Sequence, residues 1–388
     1  MRVALVSSGS GSRGGGEIYL SLLAEGLTRQ GCQVEALIPQ AERMNELADA
    51  ISAHAKVIRF PFVSTYDRRT RLFGALFDRR QQALVSRVLQ ERGADIAHIN
   101  QQVAEDGCDL VLAAKRSGLP WVSTVHVSRS AADLGARGGA LRDRACGQVI
   151  SFAKGTHIAV SEVSRAQLAA RFPFERSDFR VVHNGTSAPS AADLDVERAK
   201  VRHEWGVADD EILIGSVGRI ETQKNPLGFV MAAAGLSPHN KIRCVWIGDG
   251  KLRDRVSDAA RSRGVSLQID GWRQDAARRL AGFDIFFLPS LFEGLPFAVL
   301  EAMHAGLPVV ASKSDGLTEA ICDGESGFLC ETADQFAERL QLLVRDRNMR
   351  TKMGEKARAD ARALFSLEAM ATRTLAVYRD TLAGKIEL

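Results

Sequence analysis

Short apolar runs rich in Val, Ile and Phe alternate along the chain with longer stretches whose apolar residues recur at helical spacing. That alternation is the pattern of βαβ units and parallel sheets and predicts an α/β fold. In the first half the runs predict strands at residues 2–7, 33–38, 56–60, 95–100, 121–126, 157–160 and 180–183. The stretch 185–195, Gly-Thr-Ser-Ala-Pro-Ser-Ala-Ala-Asp-Leu-Asp, is small, polar and proline-containing, and reads as a linker. The second half restarts at 211–217 and continues with strands at 242–247, 266–269, 284–288 and 309–311. Two Rossmann-like, doubly wound domains follow, over residues 1–185 and 196–365. Such sheets bind ligands outside the carboxyl ends of their strands, so the expected site is a cleft between two facing domains. The last helical pattern, 367–383, is long and amphipathic, and residues 366–388 are expected to pack back on the first domain.

The 388 residues exceed one ordinary domain, and 45% hydrophobic with 25% charged residues excludes a disordered or fibrous chain. No run of about 18 apolar residues occurs, and the N-terminus turns glycine-rich too soon for a signal peptide, so a cytoplasmic protein is expected. Six scattered cysteines form no C-x-x-C pair and have no histidine at metal-ligand spacing, which reads as reduced core thiols. Lys and Arg number 24 against 18 Asp and Glu in residues 1–190, and 27 against 29 in the rest, so the positive charge lies in the first half. Arg68, Arg69, Arg71, Arg79, Arg80, Arg87 and Arg92 contribute to it. A solvated helical face is the plain reading; peripheral contact with the anionic inner face of a membrane is the alternative. Without interleaved aromatic residues, nucleic acid is not an expected partner.

Three segments after predicted strands carry chemistry. Gly9-Ser10-Gly11-Ser12-Arg13-Gly14-Gly15-Gly16-Glu17 precedes a helical pattern beginning at Ile18, where backbone N–H groups can approach an anion. Gly9, Gly11 and Gly14 also spell G-x-G-x-x-G, with Glu35 beyond, which raises a dinucleotide site. Against it stand a helix expected only after two further glycines and a Glu35 inside the second strand. In Gly218-Arg219-Ile220-Glu221-Thr222-Gln223-Lys224-Asn225-Pro226, Asn225 can cap a helix opened by Pro226, placing Arg219 and Lys224 beside its N-terminus. That suits a diphosphate: Arg219 offers a bidentate fork and Lys224 a point charge. In the third segment a helix runs from Pro296 to Gly306. Glu301 falls on its small-residue face among Ala298, Ala302 and Ala305, where an acid needs a partner. A vicinal diol or a buried cation would serve. Glu293 in the preceding loop can accept from sugar hydroxyls or stand as a solvated loop acid.

Glu293 and Glu301, seven residues apart within Phe-Glu-Gly-Leu-Pro…Glu-Ala-Met, resemble the E-x7-E signature of family 4 retaining glycosyltransferases of GT-B fold. The resemblance spans the chain. It includes Gly15-Gly16-Glu17, Thr124-Val125-His126, Ser161-Glu162, Val182-His183-Asn184-Gly185, Gly218-Arg219…Lys224, Ile247-Gly248-Asp249-Gly250 and Gly306-Leu307-Pro308-Val309-Val310-Ala311. It implies that Arg219 and Lys224 hold the diphosphate of a nucleotide-sugar donor and Glu301 its ribose. Glu293 and the backbone of Gly294, Leu295, Pro296 and Phe297 would meet the transferred sugar and phosphate. His126 would lie beside that sugar, although alone it reads as a satisfied core histidine. Gly15 and Gly16 would face the diphosphate, and Asp270-Gly271-Trp272-Arg273 would contact the base. The first loop is longer and richer in serine and glycine than the common form.

Asp193-Leu194-Asp195 spells D-x-D, a metal–diphosphate signature elsewhere, but falls in the linker. With Arg219, Lys224 and a helix dipole available, neither a metal nor another cofactor is expected. The donor, with a UDP-sugar favoured, is a co-substrate. The resemblance implies departure of a nucleoside diphosphate through an oxocarbenium-like transition state. Retention would come from front-face attack by a glycan, lipid-linked or small-molecule acceptor. Alternatives are an epimerase or phosphorylase of the same fold, a non-catalytic sugar- or membrane-binding protein and, last, an NAD-dependent dehydrogenase.

Overall fold

Val3, Ala4, Leu5 and Val6 are all buried, so both faces of their strand are covered, as a parallel sheet with helices on each side requires. The computed structural model describes residues 1–9, 11, 14–171, 179–236 and 241–384. The chain divides into two units, Met1–Asn184 with Leu367–Leu388, and Gly185–Ser366. In the first unit β1 (Arg2–Ser7), β2 (Gln33–Pro39), β3 (Lys56–Phe60), β4 (Ile96–Val103), β5 (Trp121–Val127), β6 (Thr156–Ala159) and β7 (Phe179–Val181) form one sheet, ordered β3-β2-β1-β4-β5-β6-β7. In the second, β8 (Ile212–Val217), β9 (Ile242–Ile247), β10 (Leu267–Gly271), β11 (Ile285–Leu288), β12 (Val309–Ser312) and β13 (Gly327–Cys330) are ordered β10-β9-β8-β11-β12-β13. Neighbouring strands pair in parallel in both sheets. Each sheet reverses its winding once, at β1/β4 and at β8/β11, and such switch points are where these folds hold ligands.

Three elements differ from the sequence reading. The first helix is Gly15–Arg29 and begins three residues before Ile18, because the Glu17 carboxylate accepts from the Gly14 N–H at 3.1 Å and caps the glycine turn. The stretch read as a linker is helical from Ala191, within Ala191–Glu204. Ser190 caps that helix, its hydroxyl taking the Asp193 N–H at 3.2 Å and donating to the Asp193 carboxylate at 2.6 Å. Asp193 therefore lies in a capped first turn and Asp195 in the turn that follows. Strand β13 was not anticipated.

Five of the six cysteines are buried and Cys322 is exposed, contrary to the expectation of core thiols throughout. Phe229 packs on Trp246 and Phe287 at 5.4 and 5.1 Å between ring centroids, in the core beneath β8 and β11. The helix Leu367–Leu382 belongs to the first unit. Gln30 donates to Thr372 Oγ1 at 2.7 Å, and Tyr378 OH meets His98 Nδ1 at 2.6 Å. Among the described residues no helix is long and apolar enough to cross a membrane.

Candidate functional site

The loop after β8 is shaped by close backbone packing. Trp246 Nε1 donates to the Gly218 carbonyl at 2.7 Å, and a Cβ on Gly248 would stand 2.0 Å from that oxygen, so only glycine fits at 248. A tight turn over Thr222–Lys224 follows. Asn225 then takes the left-handed conformation, and its Oδ1 accepts the Gly228 N–H at 3.2 Å to cap helix Pro226–Ala234, as the sequence predicts.

This loop is tied to the loop after β11, across the switch point of the second sheet. Lys224 Nζ meets Glu293 Oε1 at 2.5 Å, with side chains only 14% and 6% exposed. Gln223 reinforces the join, taking the Leu291 N–H on its carbonyl at 2.8 Å and donating its amide to the Phe292 carbonyl at 3.2 Å. Glu293 is therefore not a solvated acid, and Lys224 is not the exposed cation its loop position implied. Arg219 is exposed and donates to Gln223 Oε1 at 3.4 Å. Lys224 and Glu293 neutralise each other, so Arg219 is the exposed cation of this loop, while Lys224 keeps two further N–H donors.

Gly294, Leu295, Pro296 and Phe297 are buried and lead into helix Phe297–Ala305, closed by Gly306 in the left-handed conformation. Glu301, on its second turn, is half-buried and makes no hydrogen bond or ion pair among the described residues. Burial pushes its carboxyl up to about 7. Arg273 forks onto Asp270 with two bonds of 3.0 Å, beside an exposed Trp272. Asp315 was missed by sequence reasoning. Its Oδ2 accepts the Glu293 N–H at 3.3 Å, and its left-handed backbone carries no sequence mark.

In the first unit His126 is the penultimate residue of β5, buried and held by Nε2 to Asn100 Oδ1 at 2.7 Å, with Tyr19 edge-on at 4.6 Å. Burial lowers its pKa to about 3, so the imidazole is neutral at physiological pH. Gly15 and Gly16 open the first helix. A Cβ on Gly16 would meet the Gln102 amide at 1.8 Å, so any larger residue there would have to displace the end of the Gln102 side chain. Asn100 and Gln102 were not singled out, although polar residues at alternate positions of a doubly covered strand are the signal that marks them.

Two family profiles match the chain, "Glycosyltransferase Family 4" over residues 13–188 and "Glycosyl transferases group 1" over 197–360. The chain belongs to the family 4 glycosyltransferases. The transferase is 25% identical over 402 residues to an uncharacterized glycosyltransferase of Methanocaldococcus jannaschii, covering 98% of each. It is 30% identical over 206 residues to the Vi polysaccharide biosynthesis protein VipC/TviE of Salmonella typhi, a match spanning half of this chain and 36% of that one. Its GT-B fold superposes on Anabaena HepE, solved in complex with UDP, with a TM-score of 0.80 at 20% identity over 98% and 100% of the two chains. Membership of this family removes the dehydrogenase reading. The late helix start once counted against that reading does not exist in the transferase, but Glu35 lies within β2, paired to Lys56 at 2.8 Å.

Proposed function

We propose that this chain moves a hexose from a UDP-sugar to a hydroxyl of a glycan, lipid-linked or small-molecule acceptor, with retention and without a metal. The observation that carries the reading is the Lys224–Glu293 pair joining two switch-point loops, with Arg219 exposed beside it. Arg219 forks onto the diphosphate, Lys224 offers its remaining N–H groups, and the N-terminus of helix Pro226–Ala234 adds its dipole. Glu301 offers an uncommitted carboxylate to the ribose diol, Glu293 and the backbone of 294–297 meet sugar and phosphate, and Arg273 lies by the base. In the first unit the roles of Gly15, Gly16 and His126 rest on the family resemblance. UDP as donor diphosphate is supported by the complex named in the HepE structure, and a glycan acceptor by the name of the Salmonella relative.

Peripheral membrane contact is part of the proposal, because Arg69, Arg71, Arg79, Arg80 and Arg87 are exposed and Phe77 among them is 77% exposed. Arg68 is instead paired with Asp78 at 2.9 Å. Titration calorimetry with UDP and with uridine tests the donor assignment. Arg219→Ala should weaken UDP and leave uridine unchanged; equal effects on both would place the diphosphate elsewhere.

A further inference from the structure

His98, Asn100 and Gln102 occupy alternate positions of β4 and so line one face of it. All three reach polar partners. His98 bonds Tyr378 OH and Thr124 Oγ1, Gln102 Nε2 donates to Glu17 Oε2 at 3.3 Å, and Asn100 bridges Gly16 and His126. The Asn100 amide has only one orientation open to it. The Gly16 carbonyl can only accept, and it lies 2.8 Å from Asn100 Nδ2, so the amide nitrogen faces Gly16. Oδ1 must then face His126, where it can only accept, so His126 Nε2 carries the proton. The neutral ring thus presents Nδ1 as a lone-pair acceptor, and Nδ1 makes no hydrogen bond among the described residues.

We propose that Asn100 is the positioning residue for His126: it ties the imidazole to the first turn of helix Gly15–Arg29 and fixes the Nε2–H tautomer, so that Nδ1 accepts from a hydroxyl of the transferred sugar. The inference rests on the reading of His126 as a donor-sugar contact. The titratable groups facing the ring are Tyr19 from that helix and His98 from β4; both are buried and uncharged at neutral pH. Among the described residues no carboxylate faces the ring that could draw a second proton onto it.

The test uses full-length protein with ¹⁵N-labelled histidine, the His126 signals being identified by their loss in His126→Ala. Wild type should show a protonated Nε2, an unprotonated Nδ1 and no titration of that ring between about pH 5.5 and 8.5, as a buried neutral histidine requires. Asn100→Asp keeps the shape but supplies a carboxylate, so the ring should titrate within that window and turnover should acquire the same pH dependence. UDP release from UDP-glucose should fall roughly 10- to 100-fold in kcat for Asn100→Ala, the range seen when the partner orienting a functional histidine is removed, with donor KM changed little. A wild-type Nδ1–H tautomer, or an Asn100→Ala variant with unchanged kcat alongside an impaired Arg219→Ala, would overturn this inference alone. A wild-type protein that releases no UDP from any UDP-sugar would overturn the donor reading instead, with the tautomer still measurable in the free protein.

Discussion

Replacing Lys224 with Met removes the cation from a pair that is almost closed to water, with Glu293 only 6% exposed. Breaking one partner of a buried pair costs about 3–5 kcal/mol, because the remaining charge is left uncompensated. At about 2–4 °C per kcal/mol for a unit of this size, the transition should fall by roughly 6–20 °C. Three of the four tryptophans, Trp205, Trp246 and Trp272, lie in the second unit, so intrinsic fluorescence during a thermal ramp reports mainly on it. Combining Lys224→Met with Glu293→Gln should recover most of the loss, since a neutral pair of similar volume carries no buried charge. The coupling energy of the cycle should exceed about 1 kcal/mol, as for residues in direct contact. A Lys224→Met variant that melts with wild type, or a double variant as unstable as the single, would refute the reasoning. Truncation of Arg219, whose side chain is exposed, should by contrast spare the fold.

Arg219→Ala should lower kcat roughly 100- to 1,000-fold, the cost of losing one preorganised electrostatic donor, with an unchanged melting temperature. Near-normal kcat would put the diphosphate in another loop. The Glu301 carboxyl titrates near 7 in the folded chain against an ordinary value of 4.5, so the folded state holds the extra proton below pH 7. Its stabilising contribution is complete below about pH 4.5 and is lost as pH rises through 7, so Glu301→Gln should raise the melting temperature at pH 8 and not at pH 5. Uridine should bind wild type more tightly at pH 8 than at pH 6, and the variant equally at both. Turnover should survive excess EDTA; activity lost and then restored by magnesium or manganese would contradict the metal-free reading. Full-length protein should co-sediment with anionic but not neutral vesicles, and binding equal for both would remove the role of the exposed arginines.

The strands were legible because doubly covered parallel strands are continuous apolar runs, and twelve such runs could be read directly. Strand β13 escaped because Gly327-Phe328-Leu329-Cys330 starts on glycine and holds no β-branched residue, so it lacks the Val/Ile signature of the other runs. The first helix was placed late because glycine costs about 1 kcal/mol per helical position, and the Glu17 cap that offsets it is a three-dimensional fact. The linker was misread because Ala-Ala-Asp-Leu-Asp after Pro and Ser looks like turn chemistry, while the Ser190 cap converts the same residues into a first turn. Residue types at the site were legible from loop position, but their pairing was not. Lys224 and Glu293 lie 69 residues apart and are brought together only by the β8/β11 switch point. Asn100 and His126 are joined by the pairing of β4 with β5, and no spacing rule within either strand announces it.

The most direct test of donor chemistry is proton NMR of the first sugar formed when the intact protein is given a panel of α-linked UDP-sugars, with and without acceptors. The account predicts UDP release from at least one donor and an α-configured product before mutarotation, both strongly reduced in Arg219→Ala. A β-configured first product would contradict retention, and turnover by Arg219→Ala equal to wild type would contradict the assignment of the leaving-group site.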